Sequence, residues 1–181
     1  CLMVSTEKEL TDLESVLGYQ FKQSELLQEA LTHSTFANEH KEVVSHNERL
    51  EFVGDAVFGM MAATMLFELF PEEPEGKLSQ RRSRTVSNQA LASYAEVLGL
   101  GEWLRMGHGQ RDSDGRVPRS LLADAMEAIV GAVYLDGGLS AAQAVFGEQL
   151  REHLETSSHF ADHKTRLQEA CHRARHRAPL Y

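Results

Sequence analysis

The chain has few of the residues that usually mark secreted, membrane-spanning or β-rich proteins. Its 181 residues include two cysteines and four prolines, and only 7% are aromatic. Two cysteines far apart in sequence do not make the dense disulfide framework of a small secreted domain, so a reducing compartment is the simpler expectation. No signal-peptide pattern is present, and the longest charge-free apolar stretch, residues 56–67, is too short to span a bilayer. We therefore expect a soluble protein without a membrane partner.

The chain also lacks an excess of positive charge. Its formal net charge is −9, from 27 acidic and 18 basic residues. An acidic total argues against a simple basic nucleic-acid binder. The local distribution differs, because Arg81, Arg82 and Arg84 lie together in one short stretch. Arginine offers a forked donor to phosphate oxygens, so this stretch is a candidate phosphate contact as well as an ordinary solvated helix face.

Strand-like segments are scarce, and helical periodicity dominates the sequence. The pattern predicts a long, almost wholly apolar helix over residues 47–70. A polar, glycine-containing loop at 107–118 precedes a second apolar helix that Ser120 is placed to cap. Thr11 has capping-box spacing with a glutamate three residues later, which predicts a short first helix ending at Leu17. We expect an all-α fold.

Acidic residues interrupt both apolar helices. Glu48, Glu51 and Asp55 fall within an arc of about 60° on the first, and Asp124 and Glu127 share a face of the second. A single acidic stripe is ordinarily a solvated face or the partner of a nearby arginine. Two core-like helices that each carry such a stripe make chance placement a weaker explanation. Oxygen ligands without Cys or His suit Mg²⁺ or Mn²⁺ better than Zn²⁺.

Two glycines lie inside the first acidic helix. Gly54 and Gly59 each cost about 1 kcal/mol relative to alanine at an interior helix position. Their presence suggests close approach by another helix. That helix could belong to the same chain or to a second copy in a dimer, and the residues alone leave both explanations open.

Four segments, in order, resemble the ribonuclease III endonuclease domain. They are ALTHSTF at 30–36, HNERLEFVGDAVFG at 46–59, FPEEPEGKLSQRRSRTVSNQALA at 70–92 and LLADAMEAIVGAVYLDGG at 121–138. The resemblance implies that family's all-α helical fold and a double-stranded-RNA-specific endoribonuclease that acts as a homodimer. It implies Mg²⁺, with Mn²⁺ as a substitute, and no organic cofactor. It also implies 5′-phosphate and 3′-hydroxyl ends with short 3′ overhangs, and rRNA and mRNA processing in a bacterial cytoplasm.

The same resemblance assigns roles to individual residues. The family's metal-binding acids correspond to Glu51, Asp55, Asp124 and Glu127, and its catalytic pair to Asp55 and Glu127. The accessory acids that line the active-site valley correspond to Glu48 and Glu75. The residue that inserts into the partner subunit corresponds to Phe52. The RNA contacts correspond to Arg81, Arg82, Arg84, Gln168 and Glu169.

The resemblance also divides the chain. The endonuclease domain would cover residues 7–156, and a polar linker would cover 157–163. Residues 164–181 resemble the opening of a double-stranded-RNA-binding domain, since KTRLQE matches its first helix and a P-x-Y motif comes after that helix. The sequence ends where the first strand of that domain would begin.

Two other functions stay open. All-helical nucleoside-triphosphate pyrophosphatases bind Mg²⁺ through paired E-x-x-E and E-x-x-D motifs, although these lie closer together than Glu51 and Asp124 do. Some ribonuclease-III-like domains serve as scaffolds or processing partners after losing their metal acids, whereas this chain keeps all of them. A catalytically weak RNA-binding or scaffold protein is therefore the first alternative, and a pyrophosphatase the second.

Overall fold

The protein folds into α-helices, as predicted. The structure, a computed structural model, describes the backbone of residues 3–43 and 45–173 and the side chains of 10–43 and 45–155. Within these ranges the chain forms seven α-helices, one 3₁₀ turn (Leu100–Glu102) and no strand. The helices are α1 (Met3–Leu17), α2 (Ser24–Ala30), α3 (Ser34–Glu39), α4 (Glu48–Leu69), α5 (Glu75–Thr85), α6 (Asn88–Val97) and α7 (Arg119–Arg173).

The helices α4 and α7 form the centre of the fold. Their facing sides bury Val57 and Phe58 on α4 and Met126 and Ile129 on α7, and α2, α5 and α6 pack around this pair. These are the two apolar helices that carry the acidic stripes, so the predicted site lies on the central helix pair. By length and composition both helices would also be able to cross a bilayer, a test that core helices of globular proteins pass too.

The first helix is longer than predicted. Because α1 begins at Met3, Thr11 lies inside it and does not cap it, so the capping-box prediction is wrong. The carboxylate of Glu14 instead accepts the backbone N–H of Phe21 at 2.8 Å and holds the loop after the helix. The predicted end at Leu17 is confirmed.

The helix α7 is bent within its length. Gly138 has a φ of 77° and a ψ of −176°, which are not helical, so α7 consists of two consecutive helices. The backbone stays helical through 157–163, where the sequence predicts a linker. A connection there would therefore be helical, and the domain boundaries stay predictions. The side chains of Gln168 and Glu169 lie outside the described residues.

Asp136 fastens the loop between α1 and α2 to the core. Its buried carboxylate accepts the hydroxyl of Tyr19 at 2.8 Å and the backbone N–H groups of Lys22 and Gln23 at 3.0 and 2.9 Å. Burial by itself would raise the pKa of Asp136, but these hydrogen bonds outweigh burial and hold the pKa below its usual value. The ionised carboxylate therefore stabilises the fold.

Asp136→Asn should lower the free energy of unfolding by about 2–3 kcal/mol at neutral pH, because an amide cannot accept hydrogen bonds at both former oxygen positions. The pKa is depressed in the folded state, so this contribution is present above the unfolded-state pKa and is lost as pH falls through the folded-state pKa. Guanidinium unfolding at several pH values measures both effects. The exposed Asp114→Asn should change stability by less than about 0.5 kcal/mol. Equal stability of Asp136→Asn and wild type at neutral pH would contradict the role.

Candidate active site

The acidic face of α4 starts at a buried anchor. Asn47 precedes the helix and is 2% exposed, and its backbone N–H donates to the carbonyl oxygen of Thr32 at 2.9 Å. Its own carbonyl oxygen accepts the N–H of Glu51 at 2.8 Å, which is the first i+4 bond of the helix. The anchor fixes the rotation of α4 about its axis. Glu51 is half-buried as a result, while Glu48 and Asp55 are exposed on the same face.

The helices α4 and α7 touch at two glycines. A Cβ on Gly54 would overlap the carbonyl oxygen of Glu127, and a Cβ on Gly131 would overlap the carbonyl oxygen of Leu50. The two backbones are therefore in direct contact, and an intrachain crossing explains Gly54. It does not explain Gly59, because a Cβ there would meet nothing within 4 Å among the described residues.

This crossing brings the four predicted metal acids into one electrostatic cluster. Burial raises the pKa of Glu127 to about 7, and the three charges that add to this shift are those of Asp55, Glu51 and Asp124. Burial also raises the pKa of Glu51, with added contributions from Asp124, Glu48 and Asp55. Among the described residues, no lysine or arginine counteracts the shifts of Glu51 and Glu127. Within the described part of the chain, the cluster therefore gathers negative charge with no lysine or arginine to balance Glu51 and Glu127.

The donor set of this cluster fits a divalent cation. Carboxylate oxygens suit Mg²⁺ or Mn²⁺, and a bound positive charge would offset both the burial and the mutual repulsion that raise these pKa values. Across residues 10–43 and 45–155, no three acidic, histidine or cysteine side chains converge into a ready-made ligand group. Repelling carboxylates stay apart, so side-chain rotations would accompany the binding of an ion.

The accessory acids occupy two different places. Glu48 lies at the rim of the cluster, where its Oε2 is 3.9 Å from Nδ1 of His46. Glu75 begins α5 and lines a surface groove together with Phe67, near the far end of α4. Phe67 lies about three turns beyond Asp55, roughly 18 Å along the helix. The structure therefore does not bring Glu75 to the acid cluster of its own chain.

An exposed apolar stripe runs along the outward face of α4. It consists of Phe52, Met60 and Phe67, whose exposed fractions are 79%, 44% and 72%. Helical spacing places Gly59 on the same face. Large apolar side chains exposed in a row are unusual on a monomeric surface and mark interaction sites. The predicted dimer contact Phe52 is the most exposed member of the stripe.

The predicted arginine contacts differ in their surroundings. Arg81 forms a two-pronged ion pair with Glu73, at 2.7 and 2.6 Å, and its guanidinium lies 4.2 Å from the ring centroid of Phe70. Arg81 therefore already has a carboxylate partner and holds the turn between α4 and α5. Arg82 and Arg84 are more open, since both side chains are exposed.

His33 has no role predicted from the sequence, although it lies in the family-like segment at 30–36. In the folded protein it acts on Asp124: burial raises the pKa of Asp124, and the electrostatic interaction with His33 opposes that rise. Its Nδ1 lies 2.7 Å from the hydroxyl of Thr35. No local pattern signals this arrangement, because it joins the segment before α3 to a helix much later in the chain.

The chain is similar to known proteins over most of its length. The Ribonuclease-III-like family model matches residues 23–154. Ribonuclease 3 of Symbiobacterium thermophilum is 48% identical over 168 residues, covering 91% of this chain and 71% of that relative. Ribonuclease 3 of Protochlamydia amoebophila is 43% identical over 171 residues, covering 93% and 71%. A solved structure of the nuclease domain of Ribonuclease III from Campylobacter jejuni matches with a TM-score of 0.70 and 38% identity. The match covers 77% of this chain and 94% of that one. That structure is described for structural flexibility in a region involved in dimer formation.

Proposed function

This chain belongs to the ribonuclease III family of double-stranded-RNA-specific endoribonucleases, and we propose that it cleaves RNA duplexes with Mg²⁺ held where α4 crosses α7. The ligands would be Glu51, Asp55, Asp124 and Glu127. Mn²⁺ would substitute, and no organic cofactor would take part. The observation that carries this proposal is the contact of the α4 and α7 backbones beside Glu127, whose pKa is raised by burial and, further, by three other carboxylates of these helices.

The residues of the crossing contribute a partly buried set of oxygen donors. Glu51 and Asp55 come from α4, and Asp124 and Glu127 come from α7, so contact between the two backbones sets the spacing of the pairs. Partial burial weakens solvent screening and strengthens the attraction of these acids for a cation. When bound, Mg²⁺ would activate a water molecule and neutralise charge that develops on the phosphodiester. The proposed products have 5′-phosphate and 3′-hydroxyl ends with short 3′ overhangs.

A long labelled RNA duplex, incubated at low salt with Mg²⁺ or with EDTA, tests the proposal. We expect Mg²⁺-dependent shortening of the duplex, and no change in a single strand of the same length or in a nucleoside triphosphate. An intact duplex that still binds the protein would instead identify a binding or scaffold protein. Hydrolysis of the triphosphate would identify a pyrophosphatase.

We also propose that two chains pair through the apolar stripe of Phe52, Met60 and Phe67. The stripe is exposed and continuous with the acidic face of α4, so pairing would bring two acid clusters to one valley. Gly59 lies on the same face with open space around it, which would allow close approach by the second copy. Glu75 is far from its own cluster and would line the valley across the dimer.

Phe52→Glu is expected to convert the dimer to a monomer at micromolar concentration, because it places a charge where an apolar side chain would be buried between subunits. Sedimentation velocity measures the change. Val97→Glu is the matched control, since Val97 is 87% exposed on α6 and lies outside the stripe. The stripe would be excluded as the interface by a Phe52→Glu protein that still sediments as a dimer, or by a Val97→Glu protein that dissociates equally.

For RNA contact we propose Arg82 and Arg84, which are more open to solvent, rather than Arg81, whose guanidinium is engaged by Glu73. These arginines would contact phosphates, since duplex RNA is recognised mainly through its shape, phosphates and 2′-hydroxyls. Residues 164–181 would begin a double-stranded-RNA-binding domain, with Gln168 and Glu169 on its first helix. The cellular role would be processing of rRNA and mRNA in the cytoplasm.

A further inference from the structure

Arg105 is a partly buried arginine without an anionic partner. Among the arginines whose side chains the structure describes, only Arg81 and Arg105 are partly buried, and the others are exposed. Arg81 pairs with Glu73, whereas no hydrogen bond or ion pair joins the guanidinium of Arg105 to any residue of 10–43 or 45–155. Burial lowers the pKa of Arg105, and no carboxylate in these ranges counteracts that shift. A partly buried cation without a partner is costly, so this place in the fold suits an anion from outside the chain.

The guanidinium of Arg105 lies against an aromatic ring and keeps its donors open. It is 4.6 Å from the ring centroid of Phe36. His40 stacks on Phe36 with 4.0 Å between the ring centroids, so the arginine occupies the opposite face of the ring. No guanidinium nitrogen of Arg105 is among the fully buried, unbonded side-chain atoms of the described residues, so its N–H groups reach solvent. A flat guanidinium held by a ring offers a fork of donors to the oxygens of one phosphate group.

The backbone of Arg105 is fixed beside the segment that anchors α4. Its N–H donates to the carbonyl oxygen of Leu31 at 2.9 Å, and its carbonyl oxygen accepts the N–H of His33 at 2.9 Å. The two groups of one trans peptide point in opposite directions, so the carbonyl oxygen of Thr32 points away from Arg105, where it accepts the N–H of Asn47. Hydrogen-bonded chains lie about 4.8 Å apart, which puts the backbones of Arg105 and Asn47 roughly 10 Å apart. An RNA strand that reaches the acids of α4 would therefore pass close to Arg105.

We propose that Arg105 binds a backbone phosphate of the RNA duplex near the cleaved bond. The inference rests on the proposed function and adds to it a phosphate contact outside α5. Arg105 differs from the exposed Arg82 and Arg84 because backbone hydrogen bonds and the ring of Phe36 hold it in place. Less side-chain freedom is therefore lost when it binds a phosphate.

A purely structural role is the competing explanation, because the guanidinium also packs on Phe36 and could hold α3 in place. The two roles differ in their response to salt. A phosphate contact releases counterions from the RNA, so the logarithm of the binding constant falls with the logarithm of the salt concentration, and losing one contact reduces the slope by about one. A contact within the protein changes Tm and leaves this slope unchanged.

The experiment measures binding of a labelled RNA duplex to the full chain in EDTA, by fluorescence anisotropy between about 50 and 200 mM salt, together with Tm. For Arg105→Gln we expect an affinity about 10-fold lower at the lowest salt, a slope smaller by about one and a Tm lowered by at most a few degrees. For Arg105→Lys we expect the wild-type slope, because the charge is kept. Its affinity should be about 3-fold lower or more, because lysine lacks the fork.

Arg119→Gln is the matched control, because it removes the same charge from a guanidinium that already pairs with Glu96 at 2.8 Å. Its salt slope should equal that of wild type. A wild-type slope in Arg105→Gln, or an equally reduced slope in Arg119→Gln, would overturn the phosphate contact. If Arg105→Gln does not fold, wild-type affinity in Arg105→Lys would overturn it instead. A wild-type chain that neither binds nor cleaves the duplex would overturn the proposed function itself, and the phosphate contact with it.

Discussion

Glu127→Gln is expected to lower Mg²⁺-dependent cleavage at least about 10³-fold, the scale on which a centrally placed charge-stabilising group acts. Glutamine has nearly the same size but cannot carry the negative charge that a divalent ion needs. Glu127 interacts with the rest of the crossing, since its pKa is raised by burial and, in addition, by three other carboxylates. Turnover of a labelled duplex measures the loss. Glu148→Gln, an exposed change on α7, should leave turnover within about 2-fold.

The same substitution should stabilise the metal-free protein at alkaline pH. The folded-state pKa of Glu127, about 7, lies above its ordinary value of 4.5. The folded state therefore binds this proton more tightly than the unfolded state. The resulting loss of stability is absent below pH 4.5, grows as pH rises toward 7 and is complete above it. Glutamine removes this loss, which we expect to be about 1 kcal/mol after allowance for solvent screening, or roughly 2–4 °C in Tm.

Thermal unfolding in EDTA at pH 5 and pH 8 tests the sign of this effect. The gain from Glu127→Gln should appear at pH 8 and vanish at pH 5, and added Mn²⁺ should stabilise wild type but not the variant. A variant that is less stable than wild type in EDTA at pH 8 would show that Glu127 has a favourable partner in the fold. A variant that keeps wild-type turnover in Mg²⁺ would remove Glu127 from the site.

The helices were predictable where short-range signals control them. Apolar periodicity predicts α4 at 47–70, and the structure has it at Glu48–Leu69. The start of α1 was not predictable in this way, because capping-box spacing also occurs inside helices. The carboxylate of Glu14 instead accepts a hydrogen bond from the backbone N–H of Phe21, and that contact depends on how the loop after α1 folds back. Local patterns therefore identify helices better than they identify the partners of individual side chains.

The candidate site was predictable only in part, for the same reason. Carboxylates in apolar helices stand out in a sequence, so the acids of α4 and α7 could be proposed before their positions were known. The contact of Gly54 with α7 exists only once two distant helices have met. The phosphate contact of Arg81 stays a prediction: a run of arginines favours it, whereas only the structure reveals that Glu73 pairs with this guanidinium. Tertiary neighbours decide which charges remain available to a ligand.

Gly54→Ala is expected to destabilise the fold by about 3 kcal/mol or more, the upper range for overpacking in a core. The new Cβ would overlap the carbonyl oxygen of Glu127, a backbone atom that cannot rotate away. The two helices would have to separate, which would also move the α4 acids away from the α7 acids. We therefore expect Mn²⁺ affinity to fall together with Tm. Gly131→Ala should behave alike, because its Cβ would overlap the carbonyl oxygen of Leu50 at the same crossing.

Gly76→Ala separates this effect from the general consequences of replacing a helical glycine. Gly76 lies in α5, and a Cβ there would meet nothing within 4 Å among the described residues. Alanine should therefore raise stability by up to about 1 kcal/mol through its better helix propensity, with Mn²⁺ affinity unchanged. If Gly54→Ala and Gly76→Ala shift Tm alike, the two backbones are not in contact at Gly54. Opposite shifts in Tm, with Mn²⁺ affinity lost only in the Gly54 variant, would show that the close contact of α4 and α7 at Gly54 holds the acids of the two helices together.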